Sequence, residues 1–394
     1  MKHFPTFAAI INFMKKIFCI AFLLTLALAG CKEENTTKAA ITTETKAVTN
    51  AVTHSSGLEI YRHDGYTIVK VTHPWPDAKE AFTYVMQKKN GIIPDSLKSH
   101  TIIQVPLKTV VVTSTTHIPS LEMLGEENTL VGFPDMNFIS SEKTRARVNA
   151  GKVKEVGKNE QLNTEVVLDL NPDALVGFSI TSHNKTMDNL MQSGMKVLYN
   201  GDWNEQSPLG KAEWIKFFGA LYDKEAKADE LFAQIENDYN DALALVKKAT
   251  AKPTVFCGAI FQNQWYMPQG GSWGALFLKD AGANYLWADS EGTGSLSLSL
   301  ETVLDKAENA DVWIGPSQYT SLKEMTDANP HYAQFKAFKN KQVYSSSNKK
   351  GKTGGIIYYE LANNRPDLVL KDLIAILHPE LMPGYQLQFF ERLK

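Results

Sequence analysis

From Lys224 to Lys248 the chain runs without Gly or Pro, and Ala228, Leu231, Phe232, Ile235, Tyr239, Ala242, Leu243 and Val246 recur at helical spacing. At 1.5 Å per residue a helix of that extent spans roughly 37 Å. The sequence on either side follows a different pattern. Short apolar runs at Val110–Val112, Leu130–Gly132, Ala174–Val176 and Val197–Tyr199 precede the helix, and Thr254–Cys257, Val312–Ile314 and Val343–Tyr344 follow it. Helical or loop stretches separate them, which predicts a mainly parallel α/β sheet on each side. A long helix between two similar halves acts as a stiff strut.

An internal repeat supports two matched lobes. Leu162-Asn163-Thr164-Glu165-Val166-Val167-Leu168-Asp169 leads into Ala174-Leu175-Val176-Gly177, and Leu298-Ser299-Leu300-Glu301-Thr302-Val303-Leu304-Asp305 leads into Val312-Trp313-Ile314-Gly315. Each copy reads as a short helix followed by a buried strand, with a glutamate in the first turn. Asn163 or Thr164, and Ser299, are suited to cap these helices, and an acidic first turn favours the helix dipole. Capping alone accounts for either glutamate singly. Two carboxylates at matched places in two lobes also suit a symmetric basic partner.

The predicted fold class is α/β: two Rossmann-like lobes joined by one long rigid helix, with an N-terminal β-rich extension. The lobes cover 108–207 and 251–394, with the helical segment 208–250 between them. The extension, 57–107, holds the alternating and β-branched runs Glu59–Tyr61, Tyr66–Val71, Phe82–Met86 and Thr101–Val105, predicted as short antiparallel strands.

Upstream, Lys15 and Lys16 precede an apolar run from Ile17 to Ala29 that ends in Leu28-Ala29-Gly30-Cys31, the layout of a secretory signal peptide over residues 1–30. The run falls short of the roughly 18 apolar residues a spanning helix needs. Met14-Lys15-Lys16 also has the form of a translation start. The tetrapeptide resembles the bacterial lipobox, which makes Cys31 the lipid anchor and holds the protein at a membrane through its N-terminal lipid. Residues 31–56 are polar and read as a lipidated flexible tether.

With 394 residues, 43% hydrophobic content and a net charge of −2, the body is an ordinary globule and nucleic acid is not an expected partner. Of three cysteines only Cys257 remains after export outside the lipid site, read as a small buried hydrophobe. No zinc-type Cys/His cluster, phosphate-binding loop or nucleophile elbow is present, which disfavours an enzyme.

Thr109–Ser114, Leu124-Gly125 with Leu130-Val131-Gly132, the Glu165 unit, Pro208-Leu209-Gly210-Lys211-Ala212-Glu213-Trp214, Asp280-Ala281-Gly282-Ala283 and the Glu301 unit occur in this order between Lys108 and Leu381. In this the chain resembles the substrate-binding proteins of iron-complex and cobalamin ABC importers. The resemblance implies capture of a metal chelate (an iron–siderophore complex, with haem or cobalamin as alternatives) and delivery to a permease dimer, onto whose arginines Glu165 and Glu301 dock. It implies no catalysis and no resident cofactor. Cys31-Lys32-Glu33-Glu34 resembles the acidic export tether of some surface lipoproteins, which keeps a surface ligand scavenger as a further reading.

Ligands of open α/β sheets sit beyond the carboxyl ends of the strands. That rule predicts a cleft lined by Thr115, Thr116, His117, Phe133, Met136, Phe178 and Trp203 in the first lobe. In the second lobe it predicts Trp265, Tyr266, Gly294 and Tyr319, and Tyr358 is read as a further aromatic wall. The aromatic members offer flat walls with polar tips. His117 and His183 are candidate axial ligands to a chelated metal, although a lone histidine is more often a structural hydrogen-bonding group. A bare metal ion would need three or four converging ligands, which the sequence does not display. Lys143, Arg145 and Arg147 read as a solvated basic loop within reach of an anionic chelate.

Overall fold

The computed structural model describes residues 48–394 apart from Glu160 and His183. Cys31, the signal segment and most of the tether, like the candidate ligand His183, lie outside the described residues. Among the described residues no helix is long and apolar enough to cross a membrane.

The extension forms a four-stranded sheet of Leu58–His63, Tyr66–Val71, Phe82–Gln87 and Thr101–Gln104, in that spatial order. The first three strands are antiparallel, but the fourth runs parallel to the third, with Val85 opposite Ile102. This corrects the all-antiparallel expectation. The connection 88–100 is too long for a hairpin and carries the chain back to its starting end, as parallel pairing requires. Leu58, Ile60, Val69, Tyr84 and Ile103 on its inner side share one apolar cluster with Val110, Val112, Trp214 and Phe217. The extension is therefore part of the core of the first lobe. Tyr84 Oη also accepts the backbone N–H of Tyr199 at 2.8 Å, satisfying a donor on the outermost strand of the lobe sheet.

In the first lobe the strands lie in the order Val197–Tyr199, Ala174–Gly177, Val110–Val112, Leu130–Phe133, Lys154–Glu155, all parallel. The second lobe has the order Asn284–Tyr285, Thr254–Cys257, Val312–Ile314, Val343–Ser345, Glu391–Arg392, parallel except for the last. The central strands are apolar throughout because helices cover both faces. A small antiparallel sheet of Ala259–Phe261, Gln264–Pro268 and Ser295–Leu298 adjoins the second lobe.

The linking helix runs from Glu225 to Val246. One stripe of it serves both lobes: Ala228, Phe232 and Ile235 enter the first core, while Tyr239 and Ala242 enter the second. The repeat units fold alike. Asn163 Oδ1 accepts the Val166 N–H at 3.2 Å to start helix Thr164–Leu170, and Ser299 Oγ accepts the Thr302 N–H at 3.2 Å to start helix Leu300–Ala307. Each helix then leads into the strand that pairs with the first strand of its lobe. Glu165 and Glu301 are both exposed in the first turns. Helix-terminal N–H groups and Ser299 hold the Glu301 carboxyl below its usual range.

Candidate functional site: the cleft between the lobes

In each lobe the strand order changes direction beside the first strand, between Val110–Val112 and Ala174–Gly177 and between Thr254–Cys257 and Val312–Ile314. Connections leave such a point in opposite directions and open a crevice at the carboxyl ends of the strands. Both lobes have a cavity there. In the first lobe it measures about 330 Å³ and is walled by Thr113, Ser114, Thr115, Phe133, Pro134, Asp135, Phe138, Asn159 and Phe178, with Ile356 and Tyr359 added from the second lobe. In the second lobe it measures about 400 Å³, and its walls include Ser272, Trp273, Gly294, Ser295, Gly315, Ser317, Ser346 and Tyr358. Tyr359 borders both cavities and is 63% exposed, so the two open onto common space.

Local sequence explains the second cavity. Gly258 has φ +77°, and a Cβ there would lie 1.7 Å from the Tyr266 carbonyl oxygen, so only glycine allows the chain to turn away from strand Thr254–Cys257. Ser272 Oγ accepts the Ala275 N–H at 3.2 Å and starts helix Trp273–Asp280, whose first residue stacks on Tyr358 with ring centroids 6.4 Å apart. Burial pushes the Cys257 thiol up to about 12, which makes it inert as a nucleophile. Asp135 is the one formally charged side chain among the described residues that wall the cavities.

A strap of the second lobe, residues 346–364, closes one side of the cleft. Thr353 Oγ1 donates to the Asn137 carbonyl at 2.8 Å. Glu360 accepts the N–H groups of Ser140 and Ser141 at 2.6 and 2.9 Å. Asn364 accepts from Ser120 Oγ at 2.7 Å and donates to the Thr116 carbonyl at 2.8 Å. Burial lifts the Glu360 carboxyl to about 7 against the pull of its backbone donors.

Of the residues expected to line the cleft, Thr115, Phe133, Phe178, Gly294 and Tyr358 wall the cavities. The others lie elsewhere. Thr116 precedes helix His117–Leu124 and gives its carbonyl to Asn364. His117 is fully buried and walls neither cavity, and burial lowers its pKa. The Met136 carbonyl is taken by Arg145, and Trp203 packs behind Phe178. Trp265 is fully buried and donates from Nε1 to the Cys257 carbonyl at 2.8 Å. Tyr266, one residue on, faces outward from the small sheet, while Tyr319 packs edge-on against Tyr332. The basic stretch is not a solvated loop: Arg145 is buried, Arg147 Nη2 donates to the Leu130 carbonyl at 3.1 Å, and Lys143 pairs with Glu127 at 2.7 Å. Trp273 and Tyr359 escaped the sequence reading. The run Gly270-Gly271-Ser272 ahead of an apolar helix, and the doublet Tyr358-Tyr359, were the signals available. No group of three or more His, Cys, Asp or Glu side chains is placed to hold a metal ion among the described residues.

Two lipoproteins of Methanocaldococcus jannaschii are similar along nearly the whole chain. One is 26% identical over 421 residues, covering 96% of this chain and 96% of the relative. The other is 26% identical over 412 residues, covering 97% of this chain and 100% of the relative. Among solved structures, a periplasmic heme-binding protein from Pseudomonas aeruginosa has a TM-score of 0.56 at 18% identity, over 73% of this chain and 98% of that one. The nickel–histidine complex of CeuE from Helicobacter pylori has a TM-score of 0.55 at 19% identity, over 72% and 87%. These likenesses show the same two-lobed fold. Residues 110–349 match the sequence pattern of one family across more than half of the chain, and on that match the protein belongs to the periplasmic binding protein family.

Proposed function

We propose that the protein is an exported lipoprotein that captures a metal chelate between its lobes and delivers it to the permease dimer of an ABC importer. The observation that carries this reading is the meeting of the two cavities at Tyr359, between lobes tied by one rigid helix. Phe133, Phe138, Phe178, Trp273, Tyr358 and Tyr359 supply flat faces, and the serine and threonine hydroxyls supply adaptable hydrogen bonds, a combination suited to the organic shell of a chelate. Because the walls carry almost no formal charge, a neutral complex such as a ferric hydroxamate fits better than one with several carboxylates. A corrinoid is the second reading, favoured by the same uncharged aromatic walls. The chelate is cargo, and the protein needs no cofactor of its own.

Glu165 and Glu301 are the docking points in this reading, exposed on matched helices of the two lobes. Lipidation at Cys31 keeps the body at the membrane. The test is binding of ferrichrome, a neutral ferric hydroxamate, and of cyanocobalamin, followed by tryptophan fluorescence, in the parent and in Trp273→Ala. Saturable binding of either that Trp273→Ala weakens by at least about tenfold is the expected result. Failure of both probes to bind the parent would overturn it.

A further inference from the structure

Beneath the cavity of the first lobe lies a group of polar side chains that the cleft walls do not account for. Three neighbouring strands end together there: Val110–Val112 runs into Thr113, Ala174–Gly177 into Phe178, and Val197–Tyr199 into Asn200. The Thr113 N–H bonds the Val176 carbonyl at 3.1 Å and the Asn200 N–H bonds the Gly177 carbonyl at 2.8 Å, so the three ends are level. Asn200 Oδ1 accepts the Asp202 N–H at 2.9 Å and turns Asp202 and Trp203 back over them. His117 closes the group, its ring held by the Asn200 side chain and drawn by the Asp202 charge.

Thr113, His117, Asn200 and Asp202 are each more than nine-tenths buried. Yet Thr113 Oγ1, Asn200 Nδ2, Asp202 Oδ1 and Trp203 Nε1 have no hydrogen-bond partner among the described residues. Folds rarely leave so many buried polar groups unpaired in one place, because each forfeits its hydration. The group borders the cleft on two sides. Thr113 and Phe178 both wall the first cavity, and the Phe178 ring meets Trp203 edge-on at 6.5 Å. Lys211 Nζ holds the Asp202 and Trp203 carbonyls at 3.0 and 2.8 Å and lies 5.2 Å from the ring centre of Trp273, in the wall of the second cavity.

We propose that these residues form an inner subsite that takes a neutral arm of the bound chelate, one that both donates and accepts hydrogen bonds, of the carboxamide class, admitted past Phe178. The proposal rests on the reading of the cleft as the ligand site. Asn200 and Trp203 offer N–H donors, Asp202 offers an acceptor, and the Thr113 hydroxyl can serve as either. A carboxylate arm would be set against Asp202, and an ammonium arm against the buried Lys211. A carboxamide satisfies both kinds of partner without adding charge to a buried site.

The test uses acetamide, acetate and methylammonium as probes, with binding followed at the Trp203 indole N–H resonance, assigned through Trp203→Phe. Acetamide should shift that resonance saturably, and the two ions should bind at least about tenfold more weakly. Asn200→Asp keeps the oxygen that accepts from the Asp202 N–H but replaces the unpaired donor with an acceptor, and it should weaken acetamide by about tenfold. If that variant does not fold, Asp202→Asn gives a second readout: with the carboxylate gone, acetate should bind about as well as acetamide. No saturable acetamide shift in the parent, equal binding of acetate there, or unchanged discrimination in Asp202→Asn overturns the subsite. Binding of ferrichrome or cyanocobalamin that Trp273→Ala abolishes, with no acetamide response, would sink the subsite alone. An acetamide response in a protein that binds neither chelate would leave the subsite standing and sink the cleft reading.

Discussion

The Glu360 carboxylate of the second lobe accepts the backbone N–H of Ser140 in the first lobe at 2.6 Å. That bond, with its companion from Ser141, fastens the strap to the opposite lobe by a group whose charge is adjustable. Burial raises the Glu360 carboxyl from 4.5 to about 7. The folded chain therefore holds this proton to higher pH than the unfolded chain. Between those values the native state binds more protons, so this contribution to stability is full below about pH 4.5 and is lost as pH rises through about 7. Glu360→Gln has no such proton. Its unfolding free energy relative to the parent should shift in its favour by on the order of 1–3 kcal/mol between pH 5 and 8. Taking the difference removes the buried His117, whose lowered pKa acts in the opposite direction over part of the same range. Urea unfolding at several pH values measures it, and a constant difference would show that Glu360 does not titrate there.

The linking helix should make the two lobes unfold together. Phe232 is buried in the first core and Tyr239 in the second, on the same stripe. Phe232→Ala should cost about 3–5 kcal/mol and still give a single transition by both near-UV and far-UV circular dichroism. Two separated transitions would mean the helix does not couple the cores.

Small-angle scattering profiles with and without a bound chelate probe should nearly coincide. The helix on one side and the strap bonds at Thr353, Glu360 and Asn364 on the other leave little room for a wide hinge. A large contraction on binding would rule out this rigid frame.

Replacing Glu165 and Glu301 by alanine should leave the melting temperature and chelate binding unchanged, since both side chains are exposed in helix first turns away from the cavity walls. Uptake in cells should fall, and binding to the permease should weaken most at low ionic strength. Normal uptake by the double variant would remove both residues from the docking surface.

Glu213 is a different kind of carboxylate. It is fully buried, accepts the backbone N–H groups of Thr53, His54 and Ser55 at 2.9, 2.7 and 2.8 Å, and pairs with Lys216 at 2.7 Å. It holds residues 53–55, which the sequence predicts to be part of a flexible tether, against the body. Glu213→Ala leaves a buried ammonium unpaired and should destabilise by about 3–5 kcal/mol, with earlier proteolysis before Gly57. Limited proteolysis alongside urea unfolding checks both, and an unaltered cleavage pattern would contradict the clamp.

The linking helix and the capped first turns of the repeats were legible in the chain because a 3.6-residue period and a capping side chain act within one segment. The strand-end rule reached Thr115, Phe133, Phe178 and Gly294 because topology sets where parallel strands open. Trp265 and Tyr266 mark the limit of that reading. They are adjacent, and pairing of Gln264–Pro268 between two other strands decides which one enters the core, since successive side chains point to opposite faces. His117 and Trp203 likewise look like cleft residues in sequence and join a buried polar group only when three strand ends are brought level. Trp273 and Tyr359 acquire their place from the approach of the two lobes, and the strap over residues 346–364 crosses to the first lobe through partners more than 200 residues away in the chain. Such contacts depend on how two separately patterned cores come to rest against one helix, and local periodicity carries no record of that.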